Sequence, residues 1–214
     1  MMDVRLQKAY HRTFELACSR LADLPLEERA TKAGLGFMRK EDLSYVSVPF
    51  FNETIELAMP GFSFKSLKGS NITLVTKIII LHYLIQASGT PVGATLVPYE
   101  DIPGCRAYLP VFERRVVKPL ISAFGYSRDA FSAAGTLLGG KEEEYGHASF
   151  TLSAFPRLPI TFILWEGEEE FPPSIKVLFD QSIHTYLPLE DIVVVSKMAT
   201  TRILKEARKD YMEG

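Results

Sequence analysis

The chain has 214 residues, 47% of them hydrophobic and 23% charged, with a formal net charge of −2. That apolar content can fill a substantial core, while bases mixed with acids along the chain exclude the concentrated cationic surface that nucleic acid requires. Two distant cysteines, Cys18 and Cys105, exclude a disulfide framework and a Cys-only zinc or iron–sulfur site, and read as two reduced thiols.

In chain order, residues 1–8 lack the apolar run of a signal peptide. Asp3 can cap a first helix whose apolar face is Leu6, Tyr10, Phe14, Ala17 and Leu21. Pro25 starts a short second helix and Gly34 closes it. Val46, Val48 and Phe50 then alternate with Tyr45, Ser47 and Pro49, and Ile55 and Leu57 alternate likewise, which predicts a hairpin around Asn52 and Glu53. Pro60-Gly61 stops it. Ser70 or Asn71 caps a helix from Ile72 to about Ala87 that is apolar nearly all round, hence buried and central. At that length, and with Lys77 and His82 inside it, it does not span a membrane. The expected location is the cytoplasm.

Residues 90–110 read as a long loop of the kind used for lids and binding. Pro110 opens a helix, which Pro119 kinks or ends, and Gly125 closes that unit. Ser127 caps another helix, ended by Gly139-Gly140. The last third is strand-like at Ser149–Ala154, Ile160–Trp165 and Ile175–Phe179, with an acidic turn at Glu166–Glu170. Pro188 starts a final helix with Ile192, Val195, Ala199 and Ile203 on one face. The expected fold is α+β: an antiparallel sheet of about five strands packed on the buried helix, with surrounding helices. Residues 1–36 form a helical N-terminal arm and residues 37–214 a single domain.

Several segments carry a resemblance. They are Phe162 to Pro173, Leu178-Phe179-Asp180, Tyr186 to Ile192, Leu81 to Leu84, Ala87 to Pro91, Phe112 to Arg115 and Lys118 to Leu120. Over roughly residues 40 to 197 the chain resembles the uncharacterised domain of unknown function 3786 family of anaerobic bacteria and archaea. The resemblance implies a setting in anaerobic, redox-linked metabolism, either iron–sulfur or corrinoid one-carbon chemistry. It implies an iron–sulfur or corrinoid protein as partner, although this chain has no cluster motif of its own. It leaves the cofactor open.

No phosphate-binding loop, dinucleotide fingerprint, nucleophile elbow or zinc-protease helix is present. His82 reads as a core histidine, and Asp180 with His184 as an ordinary pair rather than a metal site, so no metal is expected. The acidic turn reads as a solvated loop. Asp180 ends an apolar strand, where side chains meet cleft edges, and can equally cap the following turn. Cys105, in the long loop beside Arg106, reads as a plain loop cysteine. Trp165, with Tyr99, Tyr108, Phe112 and Tyr186, can surround a flat ligand or simply pack a core.

The candidate binding residues are Glu166, Asp180, Tyr186, Arg114, Trp165 and Tyr108, with Arg114 expected to pair with a carboxylate. Glu166, Asp180 and Tyr186 are expected on one face, and a small-molecule ligand in a cleft between the long loop and the strand leading to Asp180. The leading function is a binding or accessory domain. The alternatives are an enzyme using Glu166 and Asp180 as a carboxylate pair on a small molecule, and a protein–protein docking module.

Overall fold

Apolar spacing and the Pro and Gly breaks set the first elements of the chain. The computed structural model describes residues 4–93 and 95–213. Helix α1 runs Val4–Ala22, with Ala17 and Leu21 buried and Tyr10 and Phe14 half-buried on its apolar face. Asp3 and the side chain of Leu6 lie outside the described residues. Helix α2, Leu26–Ala33, ends where Gly34 adopts a left-handed φ of 70° and its N–H turns back to the Ala30 and Thr31 carbonyls.

The expected hairpin sits inside a four-stranded antiparallel sheet in sequential order: β1 Gly36–Lys40, β2 Leu43–Phe50, β3 Glu53–Met59 and β4 Ser63–Ser66. Val46 faces Leu57 and Val48 faces Ile55, so the alternating residues all bury together. The turn falls at Phe51-Asn52, one residue earlier than the composition suggested. Strands β1 and β4 escape sequence detection because Arg39, Lys40 and Lys65 interrupt their apolar alternation.

Helix α3 runs Leu74–Gln86, and its cap is Thr73, whose Oγ1 accepts from the Thr76 N–H at 3.2 Å. The start therefore lies later than Ser70 or Asn71 would place it. Ile78, Ile79, Ile80 and Leu81 are all buried, as expected of a helix apolar all round, whereas Ile85 is only half-buried. Helix α1 packs against α3. The far end of α3 is closed by Arg29 of α2. Its guanidinium donates to the carbonyls of Leu84 (3.0 Å), Ile85 (2.7 Å) and Ala87 (2.6 Å), which a helix end otherwise leaves unpaired.

These elements form the first of two compact units, residues 1–91, together with the short segments Phe155–Arg157 and Thr185–Pro188. Tyr83 is the centre of that unit. Its ring stacks on Phe155 at 4.1 Å and on Tyr186 at 5.7 Å, and Phe155 also meets Phe50 at 5.0 Å. The Tyr83 hydroxyl donates to the Ala33 carbonyl at 2.7 Å and accepts from the Arg157 N–H at 3.2 Å. The helices expected as an N-terminal arm thus belong to the same unit as the four-stranded sheet.

The second unit holds a five-stranded antiparallel sheet in the order β5-β9-β8-β7-β6. Its strands are β5 Leu96–Pro98, β6 Lys141–Glu142, β7 Ala148–Phe155, β8 Leu158–Trp165 and β9 Ser174–Asp180. Its helices are α4 Leu109–Phe112, α5 Lys118–Phe124, α6 Arg128–Leu137 and α7 Leu189–Glu213. Strand β8 sits mid-sheet and is buried from Ile160 through Leu164, which accounts for its unbroken apolar run. Ile192, Val195, Ala199 and Ile203 of α7 are all fully buried. Gly135 lets α6 approach β7 closely: a Cβ there would meet the Phe150 ring at 2.5 Å.

Between α4 and α5 the chain makes a π-helical stretch, Glu113–Val117, with the Lys118 N–H reaching the Glu113 carbonyl. Pro119 explains it. Proline has no N–H to donate, and its ring collides with the carbonyl four residues back, so the helix widens there.

The architecture is α+β and antiparallel. The strands divide into two sheets where periodicity suggested one, and the buried helix belongs with the four-stranded sheet. Period identifies a strand but not its partners. Among the described residues no helix is long and apolar enough to cross a membrane.

Burial pushes the Tyr83 hydroxyl well above the ordinary tyrosine range. An acid whose folded pKa is raised contributes its full stability below its unfolded pKa of about 10 and loses it as pH rises beyond. Tyr83→Phe should lower neutral-pH stability by about 1–3 kcal/mol, because two backbone groups lose their partner. Urea denaturation repeated from neutral to alkaline pH should also show a shallower alkaline decline in the variant.

Candidate functional site

The second unit carries the chemistry worth examining, and it divides into three places. The first is a cavity of about 130 Å³ between the long loop and β9. Tyr99 and Phe112 line it as a stacked pair with centroids 4.2 Å apart, and Ile175 and Val177 form its opposite wall. Glu100, Glu113 and Lys176 supply its charged positions. The π-helical stretch contributes Glu113 and Val117, so the irregularity forced by Pro119 shapes one wall. The long loop is not structureless: it holds β5 and two short 3-10 turns, Tyr99–Asp101 and Cys105–Tyr108. Pro98 is tolerated because β5 is an edge strand.

Tyr99 is fully buried, yet its hydroxyl makes no well-formed hydrogen bond. The Cys105 thiol beside it is a weak partner. Burial raises the pKa of both groups, each further disfavoured as an anion by the nearby Glu190 carboxylate. Tyr108, half in solvent, donates to that carboxylate at 3.3 Å. Cys105 is therefore a neutral, enclosed thiol rather than a nucleophile.

The second place is the end of β9. Asp180 is 2% exposed and both of its oxygens are engaged. Oδ2 accepts from the Gly93 N–H at 2.8 Å, and Oδ1 accepts from the Ser182 N–H at 2.9 Å and from the Ser182 hydroxyl. The carboxylate ties two loops to a strand end, which favours its capping reading over a ligand-facing one. His184 instead bonds the Gln181 carbonyl through Nδ1. Among the described residues no group of three His, Cys, Asp or Glu side chains converges as metal ligands.

The third place is the opposite end of β8 and β9. Glu166 Oε1 accepts from the Arg128 N–H at 3.0 Å, so the carboxylate caps α6 where Ser127 makes no side-chain bond. The Glu166 N–H donates to His147 Nδ1 at 3.0 Å. Trp165, half-buried, is the last residue of β8 and pairs with Ser174 at the start of β9.

The sequence candidates are accordingly dispersed. Trp165 pairs with Ser174, and Asp180 lies six residues further along β9, which is roughly 20 Å at about 3.3 Å per residue. Glu166 and Asp180 thus occupy opposite ends of the strand pair and do not converge. Tyr186 is fully buried in the first unit, where its hydroxyl donates to the Thr90 carbonyl and its ring completes the Tyr83 stack. Arg114 is exposed on the π-helical stretch and forms no ion pair among the described residues. Sequence reasoning named Tyr99 and Phe112 as aromatic candidates but passed over Glu100, Glu113 and Lys176. The one available signal was Pro119 inside a helical run, which marks a backbone irregularity and hence a recess.

Two outcomes are expected here. Asp180→Asn should cost about 1–3 kcal/mol, since the amide cannot accept at both ends; equilibrium unfolding measures it. Both cysteines are free, Cys18 half-buried and Cys105 buried. Alkylation of the folded protein followed by intact mass should give at most one adduct, at Cys18, and two after unfolding.

No curated protein and no solved structure matches the chain. Residues 25–202, which include both sheets and every one of the three places described, match the family model described as Domain of unknown function (DUF3786), and the chain belongs to that family.

Proposed function

We propose that the chain is a binding or accessory domain that holds a small molecule in the cavity beside Tyr99 and Phe112. The cavity itself carries this reading: a recess of about 130 Å³ with a stacked aromatic wall and charged groups around it. It is smaller than the usual 300–1,000 Å³ of ligand pockets and close to the size of a benzene cavity. The ligand is therefore compact, or inserts one ring or short alkyl group. Glu100 and Glu113 outnumber Lys176 there, which favours a ligand bearing an amine. The proposal extends to its setting: anaerobic, redox-linked metabolism, with an iron–sulfur or corrinoid protein as partner.

The rival reading, catalysis by Glu166 and Asp180 on one substrate, has their separation against it. Carboxylates that share a reacting bond stand about 5–9.5 Å apart, well short of the distance along β9.

Native mass spectrometry of the protein, purified anaerobically from cells that make it, tests the proposal. The expected result is a small-molecule adduct on the wild-type chain that is absent from Val117→Phe, a variant that fills the cavity, at unchanged thermal stability. A bare wild-type mass, or an adduct that survives Val117→Phe, would overturn it.

A further inference from the structure

The end of the second sheet at Trp165 exposes more aromatic surface than any core requires. Tyr126 is 72% exposed, Phe171 66% and Tyr145 47%. Backbone contacts tie the three loops that carry them to this end of the sheet. The Gly167 N–H donates to the Gly125 carbonyl at 2.8 Å, and the Tyr126 ring lies so close over Gly167 that a Cβ there would meet it at 2.5 Å. The His147 N–H donates to the Leu164 carbonyl at 2.8 Å, and Gly146, the residue after Tyr145, lies against Trp165. The Glu168 N–H closes the acidic turn on the Phe171 carbonyl at 2.9 Å. Clustered exposed rings on fixed loops mark an interaction surface.

Charge identifies what covers it. Glu168, Glu169 and Glu170 are exposed and make no ion pair among the described residues, and Glu144 beside Tyr145 is likewise exposed and unpaired. Two cations of the same unit already have acidic neighbours: Arg128 stands 3.8 Å from Asp129, and Lys141 stands 3.2 Å from Glu143. This face repels phosphate, so neither nucleic acid nor an anionic membrane fits. No convergent ligand set for a metal occurs among the described residues. We infer that the Trp165 end docks an arginine-rich segment of a partner protein. Guanidinium groups stack on Tyr126, Phe171 and Tyr145 while pairing with the carboxylates of the turn. The surface is separate from the cavity of the proposed function and stands or falls without it.

The probe is a short peptide of alternating arginine and glycine, titrated at low salt while following the emission of Trp165, the chain's one tryptophan. Binding should shift that emission and weaken as salt rises. The triple variant Glu168→Gln, Glu169→Gln, Glu170→Gln should bind roughly tenfold more weakly, and Phe171→Ser should also lose affinity, both at unchanged thermal stability. A control with three exposed acids removed from the first unit, Glu15→Gln, Asp23→Asn and Glu27→Gln, should bind as the wild type does. Absence of binding by the wild type, wild-type affinity in the triple glutamine variant, or equal weakening in the control would each overturn the proposal.

Discussion

A buried phenol can be accommodated only if its hydroxyl is satisfied, and the first unit is arranged around that requirement at Tyr83. The hydroxyl has one proton to give and lone pairs to fill. It gives the proton to Ala33 at the end of α2 and takes one from Arg157, 74 residues away in sequence. The ring lies against Phe155, two residues before Arg157, and against Tyr186 from one further stretch of chain. A single side chain therefore holds three segments, distant from one another in sequence, against its own helix. Arg29 reinforces the same region by closing the carbonyl end of α3, the helix that carries Tyr83. Apolar burial supplies most of the driving force for this unit, but these few polar contacts select one arrangement of it.

The second unit solves a different problem: a sheet whose central strand is buried must present its polar groups at the two strand ends. At one end Asp180 binds backbone N–H groups and a hydroxyl, and is used up structurally. At the other, Glu166 caps α6 and leaves the residues after it, Glu168 to Phe171, facing water. Two strand ends that each carry a carboxylate thus differ in exposure, because one carboxylate is enclosed by loops and the other is followed by a turn that faces water. The cavity lies between these ends, against Ile175 and Val177, where the long loop folds over β9.

Much of this was legible in the sequence. The hairpin of β2 and β3, the all-apolar α3, the stripe on α7 and the strands β7, β8 and β9 all follow from periodicity. So do the Gly34 stop and the kink at Pro119. What periodicity did not carry was pairing. The strands on either side of α3 have the same pattern, and nothing in it says that they close two sheets. The dispersal of the site candidates has a related cause. Glu166 and Asp180 are near in sequence and both follow apolar strands, but an extended strand carries its ends far apart. Tyr186 looked like a ligand-facing aromatic because an apolar ring and a polar tip suit either a pocket or a core, and only the neighbours decide. Glu100, Glu113 and Lys176 come from three elements and acquire meaning only once these are folded together.

The π-helical stretch makes the residue count matter. A π turn is an α-helix with one residue too many, and each residue in a helix turns the chain by about 100°. With Pro119 still in place, deleting one residue from 113–117 would remove the slack that keeps its ring off the carbonyl four residues back, and the helix before it would have to turn relative to the helix after it. Leu109 and Phe112 would swing away from β9 while Leu120 and Phe124 kept their places in the core. The recess would be remodelled without any substitution among the residues that line it. The shape of the recess therefore depends on the length of the chain at this one point as well as on the residues that line it.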